Sequence, residues 1–173
     1  QHDKAVGNRF TAEGQIIYLL GDTKGHLGAS LYQRDILGND SVFAPPPVNL
    51  DAEAAHGAVV REAIDKGLIA AAHDVSDGGL AVSLAEMAIG HNIGAEISAQ
   101  GDTGFWFGED QARYVLAVTL DNAAAFETLA GGLPLHKIGT TTGAELKFGD
   151  TVTISVKQLH DLNEGWFPAL MQG

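Results

Sequence analysis

The stretch HDVSDGGL, residues 73–80, sets the carboxylates of Asp74 and Asp77 around Ser76, and Gly78 and Gly79 follow directly before an apolar helical pattern. Two kinds of chemistry suit that order. Free N–H groups at the amino end of a helix receive an anion such as a phosphate, helped by the helix dipole, and a nearby carboxylate can hold a divalent cation. The other reading is internal: Ser76 or Asp77 caps the helix with its own side-chain oxygen and satisfies the same N–H groups. Local sequence alone favours the cap.

Charge narrows the first reading. Between Gly67 and Ala112 there is no lysine or arginine, against seven acids: Asp74, Asp77, Glu86, Glu96, Asp102, Glu109 and Asp110. A phosphate here requires backbone N–H groups or a bridging magnesium ion, for which Asp74 is the candidate ligand.

Two further clusters carry polar chemistry. FWFGEDQARYVLAV, residues 105–118, places Glu109, Asp110, Gln111 and Arg113 between an aromatic turn and a buried strand. Amide and carboxylate groups at a strand mouth can fix a ligand's hydrogen-bonding edge, and they can equally form a polar turn with Arg113 paired to a neighbouring acid. GDTKGHLGAS, residues 21–30, is rich in glycine and holds Lys24 and His26, but it lacks the spacing of either the phosphate-binding or the dinucleotide-binding loop. Its plain role is a turn that lets a helix pack close to a strand. The seven histidines make no i, i+4 metal pair, and no nucleophile–histidine–acid pattern is recognisable.

The elements that must position these clusters follow from pattern. QIIYLLG, residues 15–21, is a short apolar run of β-formers and reads as a buried strand, with a short helix around 29–37 after the glycine loop. APPPVNLD is an extended connector into a helix over 50–66, ended by Gly67. LIAAAHDV predicts a strand running into the 73–80 motif, and Leu80, Leu84, Met87 and Ala88 mark one face of a helix over 78–90. IGAEISA and RYVLAVTL predict strands and NAAAFETLAGG a helix; two late strands follow, then a terminal helix, or one broken near Pro168. Strands and helices alternate early and strands cluster late, which favours a layered α+β sheet over a doubly wound fold.

Composition bounds what such a domain does. A chain of 173 residues can bury roughly 70% of its unfolded surface without a staple. It has no cysteine, which excludes thiolate metal sites, disulfides and thiol nucleophiles. A net charge of −12 opposes general attraction to nucleic acid or anionic lipid, and no apolar run suits a signal peptide or a membrane span. The expectation is a soluble, cytoplasmic domain with neither nucleic-acid nor membrane partners. The chain starts at glutamine, which suggests a piece of something longer.

LLGDTKGHLGASLY, AHDVSDGGLAVSLAEMA, IGAEI and FGEDQARYVLAV stand in a recognisable order, and from about Gln15 to Val156 the chain resembles the carboxyl-terminal domain of the aminoimidazole ribonucleotide synthetase superfamily. Members couple ATP hydrolysis to activation of an amide or similar oxygen. Within the superfamily the likeness is strongest to the phosphoribosylformylglycinamidine synthase family, whose large synthetase subunit looks like a tandem duplication. The resemblance implies an α+β fold, three-layer α/β/α with a mixed sheet, and a single domain over 1–173 that is the last domain of a longer synthetase. ATP and Mg2+ are the cofactors it implies for the full enzyme. The implied partners are the remaining domains of the synthetase subunit, a glutaminase subunit and a small bridging subunit.

The same resemblance implies roles residue by residue. Asp74 matches a magnesium-holding position, and Ser76, Gly78, Gly79, Glu109, Asp110 and Gln111 match nucleotide- or substrate-binding positions that in a last copy face an auxiliary site. No residue of this chain matches a catalytic one, so the isolated domain is expected to lack synthetase activity. Where the family pattern has LGGS this chain has LGAS, and Ala29 gives up the freedom for positive φ that close approach of a phosphate would use. The alternatives are a domain of another ATP-dependent superfamily member, a kinase or a selenophosphate-type synthetase, or a structural or interaction module.

Overall fold

The computed structural model describes residues 4–39 and 44–172. A seven-stranded mixed sheet runs through it in the order β2-β4-β1-β5-β3-β6-β7. The strands are β1 (Ile16–Leu20), β2 (Ala71–Asp74), β3 (Ala95–Ile97), β4 (Tyr114–Val118), β5 (Leu135–Thr141), β6 (Glu145–Phe148) and β7 (Val152–Ser155). Neighbouring strands pair antiparallel except β3 with β6, which run parallel.

β1 explains the layering. All five of its residues are buried, as a continuous apolar run requires when both faces of a strand are covered. Ile17 and Leu19 enter one core with Leu80, Leu84 and Met87 of helix α2 (Gly79–Ile89) and Val156 at the start of helix α5 (Val156–Gln172). Ile16, Tyr18 and Leu20 enter the opposite core with Val60 and Ala63 of helix α1 (Leu50–Asp65) and Phe126 of helix α4 (Ala123–Ala130). Period-two alternation along one strand thus feeds two helix layers, giving the three-layer α/β/α arrangement that the family resemblance implied. Each fully buried Leu or Met of α2 contributes about 1.5–3 kcal/mol.

Local signals account for most element ends. Asn49 Oδ1 accepts the Ala52 N–H at 3.1 Å and caps α1, and Gly67, φ +67°, turns the chain just beyond it. The short helix expected at 29–37 is a single π-type turn, Tyr32–Ile36, and α5 continues through Pro168 without a break. A short helix, α3 (Thr103–Phe107), capped by Asp102, stands where an aromatic turn was expected. No described helix is long and apolar enough to cross a membrane.

Pairing brings the chemistry together. Tyr114, at the start of β4, lies opposite both Leu20 and Asp74 at the ends of β1 and β2. The glycine loop after β1, the 75–79 turn after β2 and the 108–113 turn before β4 therefore share one end of the sheet, an edge of the kind ligands favour in open sheets.

Candidate functional site

The 108–113 turn is the hub of this edge. Asp110 is buried, and its carboxylate accepts three backbone N–H groups of the glycine loop: Oδ2 from Lys24 at 2.9 Å and Gly25 at 2.8 Å, Oδ1 from His26 at 3.3 Å. Glu109 reaches the other way. Its Oε1 accepts the N–H of Leu31 at 2.8 Å and that of Gly78 at 2.8 Å, which ties the glycine loop to the entry of α2. The two acids are thus joined to backbone in the geometry of charge-assisted hydrogen bonds.

Arg113 locks the turn from below. It is 1% exposed, and it donates from Nε to the Asp110 carbonyl at 3.1 Å, from Nη1 to Thr23 Oγ1 at 3.2 Å, and from Nη2 to the Gly108 carbonyl. Burial lowers its pKa and the Asp110 charge opposes that shift. The expected pairing of Arg113 with an acid side chain is replaced by pairing with carbonyl oxygens and a hydroxyl, because the Asp110 carboxylate is turned toward the loop amides.

Helix α1 holds the other flank. Ala112 sits at φ +60°; its N–H donates to Glu53 Oε1 at 2.8 Å and its carbonyl accepts from His56 Nδ1 at 2.7 Å. Glu53 Oε2 also accepts the Tyr114 hydroxyl at 3.3 Å. Burial, and then the Glu53 charge, raise the Tyr114 pKa. Sequence reading passed over Glu53 and His56; their i, i+3 spacing on one face of α1 was the available signal.

Glycine is required where these loops touch. At Gly79, φ +73°, an added Cβ would fall 2.7 Å from the Gly108 carbonyl oxygen; at Gly21, φ +107°, it would fall 2.4 Å from that of Ala112.

The residues expected to bind ligand divide accordingly. Gly78, Gly79, Glu109 and Asp110 are drawn into the frame, with Gly79 N bonded to the Ser76 carbonyl at 3.0 Å. Ser76 and Gln111 are exposed, and Gln111 Nε2 donates to the Glu109 carbonyl at 3.3 Å. The Asp74 side chain is 71% exposed and its carboxylate lies 3.7 Å from His73 Nδ1, which donates to the Asp74 main-chain carbonyl at 2.6 Å. The expected cap by Ser76 or Asp77 does not form: α2 starts after Gly78 in a left-handed conformation without a side-chain cap, and the Gly78 N–H goes to Glu109. Ala29 adopts φ +58° despite its methyl group, so the loss of glycine in LGAS leaves the local turn in place.

Fit to ATP and magnesium can be tested on these groups. Among the described residues no three His, Asp or Glu side chains gather as a metal cage. Magnesium commonly uses one or two carboxylates together with substrate phosphates and water, a role one exposed aspartate fits.

Residues 12–150 match the model of the family described as AIR synthase related protein, C-terminal domain. The chain belongs to this family. As an AIR synthase related C-terminal domain it is 48% identical, over 98% of its length, to phosphoribosylformylglycinamidine synthase subunit PurL of Rhodopseudomonas palustris (strain TIE-1), and it covers 24% of that protein. It is 46% identical over 94% of its length to the subunit of the same name from Methylocella silvestris, covering 23% of it. The domain therefore spans about a quarter of these curated relatives. Among solved structures, T. maritima PurL complexed with FGAR superposes with a TM-score of 0.76 at 19% identity, covering 91% of this domain and 30% of that chain. Hydrogenase maturation protein HypE in complex with ATP gives 0.61 at 14% identity, covering 89% and 53%. At these identities the likeness is one of fold.

Proposed function

We propose that this domain is the last domain of a PurL-type synthetase subunit. The parent enzyme would convert formylglycinamide ribonucleotide, ATP and glutamine-derived ammonia to formylglycinamidine ribonucleotide in purine biosynthesis, as an ATP-dependent carbon–nitrogen ligase of the cytoplasm. The observation that carries this reading is the 48% identity sustained over 98% of the domain. ATP would activate the formamide oxygen by phosphorylation, and ammonia would displace phosphate to leave the amidine.

In this reading the domain contributes no catalytic residue. Asp74 is the proposed magnesium ligand, and Ser76 and Gln111 are the groups open to nucleotide or substrate at an auxiliary site. Gly78, Gly79, Glu109 and Asp110 act on that site by shaping its walls. Magnesium, when held there, would offset phosphate charge, since residues 67–112 contain no lysine or arginine. The proposed partners are the remaining domains of the subunit, a glutaminase subunit and a small bridging subunit; the T. maritima complex named PurLQS supports an assembly of this kind.

The test is an ammonia-dependent amidine assay on the parent subunit and on the 173-residue chain separately. The parent should consume ATP and form product with added ammonia, and the chain alone should do neither. Turnover by the chain alone, or a parent without ATP-dependent amidine formation, would overturn the reading.

A further inference from the structure

At the amino end of α2 helix geometry and glycine backbone together invite a phosphate, yet an anion already stands there. Glu109 Oε1 lies 2.8 Å from the Gly78 nitrogen and 2.8 Å from the Leu31 nitrogen, and Glu109 itself is held by its own N–H donating to the His26 carbonyl at 3.0 Å. A phosphate oxygen bonded to Gly78 N would need the space that Oε1 fills. The next N–H along, that of Gly79, is bonded to the Ser76 carbonyl. Residues 67–112 supply no lysine or arginine, and Arg34, which lines the same cleft as Asp77 and Glu109, pairs with Asp35 through Nε and Oδ1 at 2.7 Å.

We infer that Glu109 is the resident anion of the α2 amino end, so that the backbone N–H groups of Gly78 and Leu31 exclude phosphate rather than binding it, and one carboxylate latches the glycine loop to α2. Glu109 is thus a positioning residue with a selective effect. It fixes Leu31 and Gly78 and denies their N–H groups to a phosphate, leaving metal-bridged contact through Asp74, as in the proposed function, as the route for an anionic ligand.

Amide NMR of the 173-residue chain tests it, with inorganic phosphate as the probe and magnesium absent. In the wild type, phosphate in the tens of millimolar should leave the Gly78 and Leu31 amide signals unmoved. Glu109→Ala frees both N–H groups, and phosphate should then shift these two signals saturably and raise Tm, a gain that loss of a merely structural contact would not produce. Glu109→Gln, which keeps the side-chain shape and removes the charge, should show a smaller gain and supplies the reading if the alanine variant fails to fold. Saturable shifts of Gly78 in the wild type would overturn the inference, and so would the absence of any gain in the folded variants.

Discussion

Asp110 Oδ2 stands 2.8 Å from the Gly25 nitrogen, across 85 positions of sequence, and the same carboxylate also receives the N–H groups of Lys24 and His26. One buried side chain therefore supplies the hydrogen bonds that β pairing would otherwise give to the start of the glycine loop. A backbone turn with N–H groups aimed inward is costly unless those groups are met.

Asp110→Ala should accordingly destabilise the chain by about 2–4 kcal/mol, since an orphaned donor costs about 1–3 kcal/mol when fully buried and less at these three partly buried N–H groups. Asp110→Asn keeps one oxygen but turns an NH2 toward a donor, so it should fall between the two. Urea unfolding of the three proteins checks the order. An alanine variant within about 0.5 kcal/mol of wild type would show that the loop is held by other means.

Ala29→Gly should have the opposite sign. Holding a non-glycine residue at φ +58° costs about 1–2 kcal/mol, and glycine's greater freedom in the unfolded chain returns about 0.5–1 kcal/mol of that. The net expectation is a gain of about 0.5–1 kcal/mol, or a Tm higher by about 1–4 °C. Differential scanning calorimetry decides it, and a lower Tm in the variant would contradict the assignment.

What sequence reading reached and missed follows one physical line. The strand 15–21 and the helices 50–66 and 78–90 were legible because periodicity and glycine ends are local, and they stand in the structure within about two residues as Ile16–Leu20, Leu50–Asp65 and Gly79–Ile89. Helix α3 escaped because five residues carry no period, and Asp102 caps it through a single bond to Phe105 N. The cap of α2 was misread for a different reason: Ser76 and Asp77 are adjacent, but the acceptor that the helix entry uses is Glu109, 31 residues away. The parallel pairing of β3 with β6 and the bond from His56 to Ala112 are likewise long-range choices that no window of sequence contains.

Tyr18 gives the chain a prediction at alkaline pH. Burial raises its pKa, and the hydrogen bond of its hydroxyl to Glu127 Oε1 at 2.6 Å and the Glu127 charge raise it further. An unfolded tyrosine ionises near pH ~10, while the folded phenol keeps its proton to higher pH. Above pH ~10 the unfolded state thus binds fewer protons than the native one, and stability falls as pH rises. The contribution is fully present below that pH. Tyr18→Phe should flatten the decline by about 1.4 kcal/mol per pH unit, while costing about 1 kcal/mol at neutral pH through the lost hydrogen bond. Chemical denaturation between about pH 8 and 11 measures both, and identical slopes in the two proteins would refute the assignment.

Asp74 separates a ligand position from a frame position. Its side chain is 71% exposed, lies 3.7 Å from His73 Nδ1 and acts on Tyr114 through charge alone, so the fold draws little from it. Asp74→Ala should leave unfolding free energy within about 0.5 kcal/mol, as exposed substitutions do. If the carboxylate is one of the one or two that magnesium uses beside a phosphate, its loss leaves the ion to phosphate and water alone. Magnesium-dependent nucleotide binding by the parent subunit should then weaken by about tenfold or more, equivalent to about 1.4 kcal/mol. Asp74→Asn should behave like alanine in binding and like wild type in stability, because the neutral amide preserves shape and not charge. Calorimetric titration of the parent and thermal unfolding of the 173-residue chain read the two effects independently. A variant that loses several degrees of Tm with unchanged affinity would place Asp74 in the frame with Asp110 and remove it from the metal site.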